Sequence, residues 1–141
     1  MNAQKPQVLV VEDNPMNLEL VSDLLQANGF AVHHAPTAER GLILARTLMP
    51  DLILMDVSLP GLDGLQATKA LRAYPATRNL TIVALTAHAM RGDEDLALKA
   101  GCDGYLAKPI DTRSFANRIA AFIAAANARR AQTQPDQPYG N

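Results

Sequence analysis

Cysteine occurs once in these 141 residues, at Cys102, tryptophan not at all, and aromatic residues make up only 4% of the chain. A lone thiol excludes an internal disulfide and cannot by itself build a zinc site, and it fits an intracellular protein. There is no excess of positive charge, since 13 Lys and Arg face 14 Asp and Glu for a net charge of −1. Nucleic acid is therefore disfavoured as a direct partner. No stretch approaches the ~20 apolar residues of a membrane span. Met1–Gln7 is polar and lacks the apolar core of a signal peptide. A soluble, cytoplasmic protein without membrane insertion is expected. No internal repeat is present, and no glycine-rich loop ends in Gly-Lys-Ser/Thr.

What is present is aliphatic. Hydrophobic residues are 48% of the chain, enough for one compact domain built on Leu, Ile, Val, Ala and Met. From about Asn127 the composition shifts to Arg, Gln, Pro and Asp. This divides the chain into a domain over 1–126 and a polar tail over 127–141 that is expected to be disordered.

Strand and helix patterns alternate along the domain. Gln7–Val11, Phe30–Ala35, Asp51–Asp56, Leu80–Thr86 and Gly104–Ala107 read as strands. The first is apolar without alternation, as strands covered on both faces tend to be. Asn14-Pro15 starts a helix with Leu18, Val21, Leu24 and Leu25 on one face, stopped by Gly29. Thr37 caps a second helix whose stripe is Leu42, Ala45 and Leu48. Leu65–Ala73 and Asp93–Ala100 read as the third and fourth helices. Asp111 or Thr112 caps a fifth with Phe115, Ile119, Phe122 and Ile123 inward. The alternation argues an α/β fold with a parallel sheet and helices on both faces.

Four of the apolar runs end on residues capable of chemistry. Val8–Val11 leads into Glu12 and Asp13, Leu52–Met55 into Asp56, Ile82–Leu85 into Thr86, and Tyr105–Ala107 into Lys108. Parallel strands present their carboxyl ends along one sheet edge, where ligands bind in open α/β folds. Three acids, a hydroxyl and an ammonium would meet there, a pattern that suggests a divalent cation and a phosphoryl group. Asp56 can act as a nucleophile toward phosphorus, forming an acyl phosphate. Close carboxylates repel, and a cation removes that cost. Oxygen ligands without neighbouring His or Cys favour Mg²⁺ or Mn²⁺. Lys108 can offset the acids and hold a phosphate, and Thr86 can hydrogen-bond a phosphoryl oxygen. Lys108-Pro109 is a place where a cis peptide is possible. Tyr105 carries an amphipathic ring between strand and surface that could take two positions. His33 and His34 read as surface positions, His88 as a residue bordering the pocket, and Cys102 as a small packed residue.

Glu12-Asp13-Asn14, Leu54-Met55-Asp56 with Leu59-Pro60 and Asp63-Gly64, Thr86-Ala87 and Lys108-Pro109 together resemble the response-regulator receiver domain of two-component signalling. Asn14–Asn17 and Ala89–Glu94 look nearest to stand-alone receivers similar to the cell-division regulator DivK and to receivers of hybrid histidine kinases. The resemblance implies a flavodoxin-like (βα)5 sheet of order 2-1-3-4-5. It makes Asp56 the phosphoacceptor. Mg²⁺ would be held by Asp13, Asp56 and the backbone carbonyl of Ser58, with Glu12 acting through water. Thr86 and Lys108 would hold phosphoryl oxygens, and Thr86 and Tyr105 would form the switch. Implied partners are a histidine kinase or histidine phosphotransfer domain and a downstream protein bound by the phosphorylated form. A weak dimer through the fourth helix, fifth strand and fifth helix is also compatible. Such a chain catalyses its own Mg²⁺-dependent phosphorylation and dephosphorylation but is not a turnover enzyme. With no DNA-binding output domain read in the sequence, its output is expected to be protein binding.

Other readings fare less well on the residues. A hydrolase with an aspartyl nucleophile expects a second Asp two residues on, where Ser58 stands. A P-loop NTPase needs the missing phosphate loop, and a flavin carrier needs Ser, Thr or Gly where Glu12 and Asp13 stand. A receiver segment of a hybrid histidine kinase and a degenerate receiver that binds partners without phosphorylation both remain open.

Overall fold

The computed structural model describes residues 4–57, 63–87 and 92–133. Five strands alternate with five helices: β1 Gln7–Val11, α1 Pro15–Ala27, β2 Ala31–Ala35, α2 Ala38–Leu48, β3 Leu52–Asp56, α3 Gly64–Ala73, β4 Ile82–Thr86, α4 Asp93–Ala100, β5 Gly104–Ala107 and α5 Phe115–Thr133. Every strand pairing is parallel, in the order β2-β1-β3-β4-β5. The flavodoxin-like order expected from the sequence is the one observed.

The sheet separates two apolar layers because strand side chains alternate between faces. Leu9, Val11, Ile53, Met55, Ile82 and Ala84 pack toward α2, α3 and α4. Val8, Val10, Leu52, Leu54, Val83 and Leu85 pack toward α1 and α5, against Val21, Leu25, Phe115, Ile119 and Ile123. Full burial of each large aliphatic side chain contributes roughly 1.5–3 kcal/mol, so the centre of the sheet is held rigidly from both sides. Among the described residues no helix is long and apolar enough to cross a membrane.

Local chemistry sets the element ends. Asn14 Oδ1 accepts the N–H groups of Met16 and Asn17 at 2.9 and 3.1 Å, with Pro15 opening α1. Asp63 and Gln66 form a reciprocal capping box on α3. Phe30 donates its N–H to Leu25 O and so closes α1, which is why β2 starts one residue later than the sequence pattern suggests. The inward stripe of α2 is Ala38, Gly41 and Ala45, with Leu42 packed only partly against it. Small residues lie there because the helix approaches Val11 closely.

The far end of the chain departs from the sequence reading. α5 continues through Arg129 and Arg130 to Thr133, rather than giving way to a tail after residue 126. Ala126 is buried, and Arg129 lies 3.9 Å from Asp103. Ala, Arg and Gln are all good helix formers, so a polar composition here extends the helix. Asp111 accepts the N–H of Arg113 in a turn that precedes α5, four residues before the helix proper begins at Phe115. Residues 134–141 lie outside the described part.

Candidate functional site

The carboxyl ends of β1, β3, β4 and β5 do meet. Asp56 is the last residue of β3 and is 1% exposed; Thr86 is the last residue of β4 and is buried. Lys108 follows β5, and its N–H donates to Thr86 O at 2.8 Å, which holds the lysine backbone beside the end of β4. The Lys108-Pro109 peptide is cis. Glu12 follows β1 and is 1% exposed, whereas Asp13 is exposed.

The charges are arranged unequally. Lys108 Nζ donates to Asp56 Oδ2 at 3.2 Å and lies 3.6 Å from Glu12 Oε1. Glu12 Oε2 accepts the N–H of Asn14 at 3.1 Å. Glu12 Oε1 is buried without a hydrogen-bond partner. Burial first, and hydrogen bonding with Asp56 second, push the Glu12 carboxyl up to about 7 against the lowering effects of the Asn14 N–H and Lys108. One ammonium thus stands against two buried acids.

Carboxylate oxygens of Glu12, Asp13 and Asp56 all lie within 4.8 Å of one another. Two are buried and one is exposed, so the cluster opens to solvent on the Asp13 side. Hard oxygen donors with an orphaned buried oxygen among them fit a small divalent cation. The donor set suits Mg²⁺ and offers neither His nor Cys to a softer metal.

Tyr105 sits on β5 opposite Ala84, partly buried, with its neighbour Leu106 in the core. Hydrogen bonding to Glu94 of α4, then burial, raises its phenol above the ordinary range. The tyrosine therefore links β5 to α4 at the surface. Cys102 is buried and lies 3.8 Å from the Thr68 hydroxyl, which is the packed role expected for it. Ser58 and His88, and the residues Leu59 to Leu62, lie outside the described residues.

Two residues near the site escaped the sequence reading. His34 is exposed, but its Nε2–H donates to the carbonyl of Glu12 at 3.0 Å. The signal available was that β2 ends at the same sheet edge as the other strands. Gly64, noted in the sequence only as part of a matching motif, opens α3 directly against the Asp56–Val57 backbone; a Cβ there would lie 2.8 Å from Val57 Cα and overlap the Asp56 carbonyl.

A model of the response regulator receiver domain matches residues 8–120. The polar-differentiation response regulator DivK of Brucella ovis is 40% identical over 116 residues, covering 82% of this chain and 94% of that protein. The receiver domain of a sensor histidine kinase from Pseudomonas aeruginosa PAO1, solved with a magnesium ion coordinated in its active-site cleft, superposes with a TM-score of 0.79 at 36% identity, covering 85% of this chain and 98% of that one. The receiver domain of a Francisella response regulator superposes with a TM-score of 0.79 at 27% identity, over 86% and 98% of the two chains.

Proposed function

The chain belongs to the response-regulator receiver family, and from that premise we propose that it is a phosphorylation-driven switch whose phosphoacceptor is Asp56. Receivers are signalling proteins that bind Mg²⁺ at an acidic pocket and work with histidine kinases and phosphotransfer proteins; they are not turnover enzymes. The observation that carries the residue assignment is the burial of Asp56 at the end of β3 with Lys108 Nζ 3.2 Å from its Oδ2.

In this reading a phosphohistidine of a kinase or phosphotransfer domain docks at the sheet edge. A carboxylate oxygen of Asp56 attacks phosphorus in line; the new P–O bond forms as the P–N bond breaks, and the electron pair leaves with the imidazole nitrogen. Lys108 holds a phosphoryl oxygen and offsets the spread charge. Asp13, Asp56 and the carbonyl of Ser58 would hold Mg²⁺, with Glu12 acting through water, and Mn²⁺ could substitute. The ion neutralises charge on the acids and on the phosphoryl group when bound.

Thr86 then bonds the phosphoryl group, Tyr105 turns inward, and the surface of α4, β5 and α5 changes its affinity for a downstream protein or a second copy. This is a population shift between two states, acting in the cytoplasm. A receiver working within a hybrid histidine kinase is the second reading, favoured by the 36% identity to the receiver domain of a sensor histidine kinase; the chemistry is shared.

Incubation with acetyl phosphate and Mg²⁺, followed by intact mass, tests the reading. One phosphoryl adduct, absent from Asp56→Asn, is expected. No adduct, together with no Mg²⁺-dependent beryllofluoride binding, overturns it in favour of a degenerate receiver.

A further inference from the structure

We propose that His34 is a positioning residue for the acidic pocket, clamping the peptide that joins Glu12 to Asp13. The inference rests on the reading of that pocket as a cation site and adds a residue outside the acid set to it.

The main chain of Glu12 is held from both sides by β2. Its N–H donates to Ala35 O at 3.0 Å, continuing the ladder one residue beyond the Val11–Ala35 pair. Its carbonyl accepts the Nε2–H of His34 at 3.0 Å. The acceptor is a carbonyl oxygen, so Nε2 carries the proton, whichever state Nδ1 adopts. Two consecutive residues of β2 therefore fix both backbone polar groups of the residue that follows β1.

That peptide needs an external hold. The ladder between β1 and β2 ends at Glu12, and by Asn14 the chain is already capping α1. Between them stand the two acids. Glu12 is buried with Oε1 lacking a hydrogen-bond partner, so its carboxylate cannot be steered by bonds at that oxygen. Asp13 is exposed, and its direction follows the backbone that carries it. The Glu12 carbonyl and the Asp13 N–H belong to one planar unit, so fixing the carbonyl oxygen fixes the plane from which Asp13 departs. Groups that orient ligands without touching the ion commonly tune affinity.

Among the described residues, the other groups at Glu12 do not duplicate the bond. Asn14 donates to the Glu12 side chain, and Lys108 approaches Glu12 Oε1; neither holds the carbonyl. His33 turns elsewhere, to Gln7.

The test is calorimetric titration of the full chain with Mg²⁺, for the wild type, His34→Ala and His34→Gln. Gln places an amide N–H near the reach of Nε2, whereas Ala removes the donor. His34→Ala is expected to weaken Mg²⁺ about three- to tenfold, the worth of one net hydrogen bond, and His34→Gln to restore most of it. Amide exchange at Asp13 in the metal-free protein should rise in His34→Ala and return in His34→Gln. Unchanged Mg²⁺ affinity in His34→Ala, or equal loss in both variants, overturns the clamp while leaving the cation site standing. A wild type that binds no Mg²⁺ overturns the cation site and the clamp together.

Discussion

Lys108 Nζ stands between two buried carboxylates, 3.2 Å from Asp56 Oδ2 and 3.6 Å from Glu12 Oε1. Both acids are 1% exposed, and among the described residues this ammonium pairs with each of them. Lys108→Met leaves the acids facing each other. A fully buried broken pair costs several kcal/mol, but a carboxyl can take up a proton instead, and Lys108 is 18% exposed. The expected loss is about 1–3 kcal/mol at neutral pH, smaller at pH 5, with acetyl phosphate labelling slowed by at least tenfold. Urea unfolding at the two pH values and timed intact mass check both parts.

The Glu12 carboxyl, raised to about 7 from an ordinary 4.5, makes stability depend on pH in a set direction. The folded state binds more protons than the unfolded chain across this window. Its contribution to stability is present in full below about 4.5 and is lost as pH rises through 7. The thermal midpoint of the metal-free protein should therefore fall between pH 5 and 7, beneath any contribution from other groups. Glu12→Gln should flatten that component. Saturating Mg²⁺ should flatten it too, because a cation favours the ionised acid as a proton favours the neutral one. Midpoints measured in EDTA and in Mg²⁺ across this range decide it; a slope unchanged by Glu12→Gln would sink the argument.

The strand ends were legible in the sequence for a physical reason. A parallel strand covered on both faces must be apolar throughout, so Asp56 after Leu52–Met55 and Thr86 after Ile82–Leu85 stand out against their neighbours. His34 carries no such contrast. It is exposed on an edge strand, where a histidine ordinarily has no partner to announce, and its bond goes to a backbone carbonyl that every residue offers. Thr77, between α3 and β4, is a polar residue that is buried because its hydroxyl donates to Leu71 O at 2.7 Å and so is satisfied at the end of α3. The length of α5 was misread for the reverse reason: Arg129 and Arg130 looked like a tail when judged by polarity, although their helix propensity and the Asp103 pair favour continuation.

Gly64 ties the start of α3 to the backbone of Asp56, the proposed phosphoacceptor. Gly64→Ala would drive a Cβ into the Asp56 carbonyl and within 2.8 Å of Val57 Cα. Backbone is the obstacle, so no side chain can swing aside. A loss of about 1–3 kcal/mol is expected from overpacking, with acetyl phosphate labelling of Asp56 reduced in the fraction that stays folded. Urea unfolding with labelling at low denaturant measures the two effects separately.

Tyr105 offers a reporter of the α4–β5 link. Its phenol is raised by hydrogen bonding to Glu94 first and by burial second. Glu94→Gln should bring the phenol back toward its ordinary value near 10, read from the ring carbon shifts of labelled tyrosine as pH rises. Beryllofluoride with Mg²⁺, if it draws Tyr105 inward, should break the Glu94 bond and change the same resonance. A tyrosine shift insensitive to Glu94→Gln would place the cause of the raised value elsewhere.

Arg72 separates stability from the site. Its Nε donates to Gly101 O at 2.8 Å, its Nη1 to the carbonyls of Arg78 and Leu80 at 2.7 and 2.5 Å, and its Nη2 pairs with Asp103 at 2.9 Å. These bonds join the end of α3 to the loops that enter β4 and β5. They lie at the amino edge of the sheet, opposite the acids. Arg72→Ala leaves those carbonyls to water and removes a partly buried pair, for an expected loss of about 2–3 kcal/mol. The acids stand at the ends of β1 and β3, whereas these Arg72 bonds go to Gly101, Arg78, Leu80 and Asp103, none of them on either strand. Mg²⁺ affinity in Arg72→Ala should therefore stay within twofold of wild type at a temperature where both are folded. Calorimetry beside thermal unfolding checks this, and a large loss of Mg²⁺ binding in the folded variant would mean that the two sheet edges are coupled.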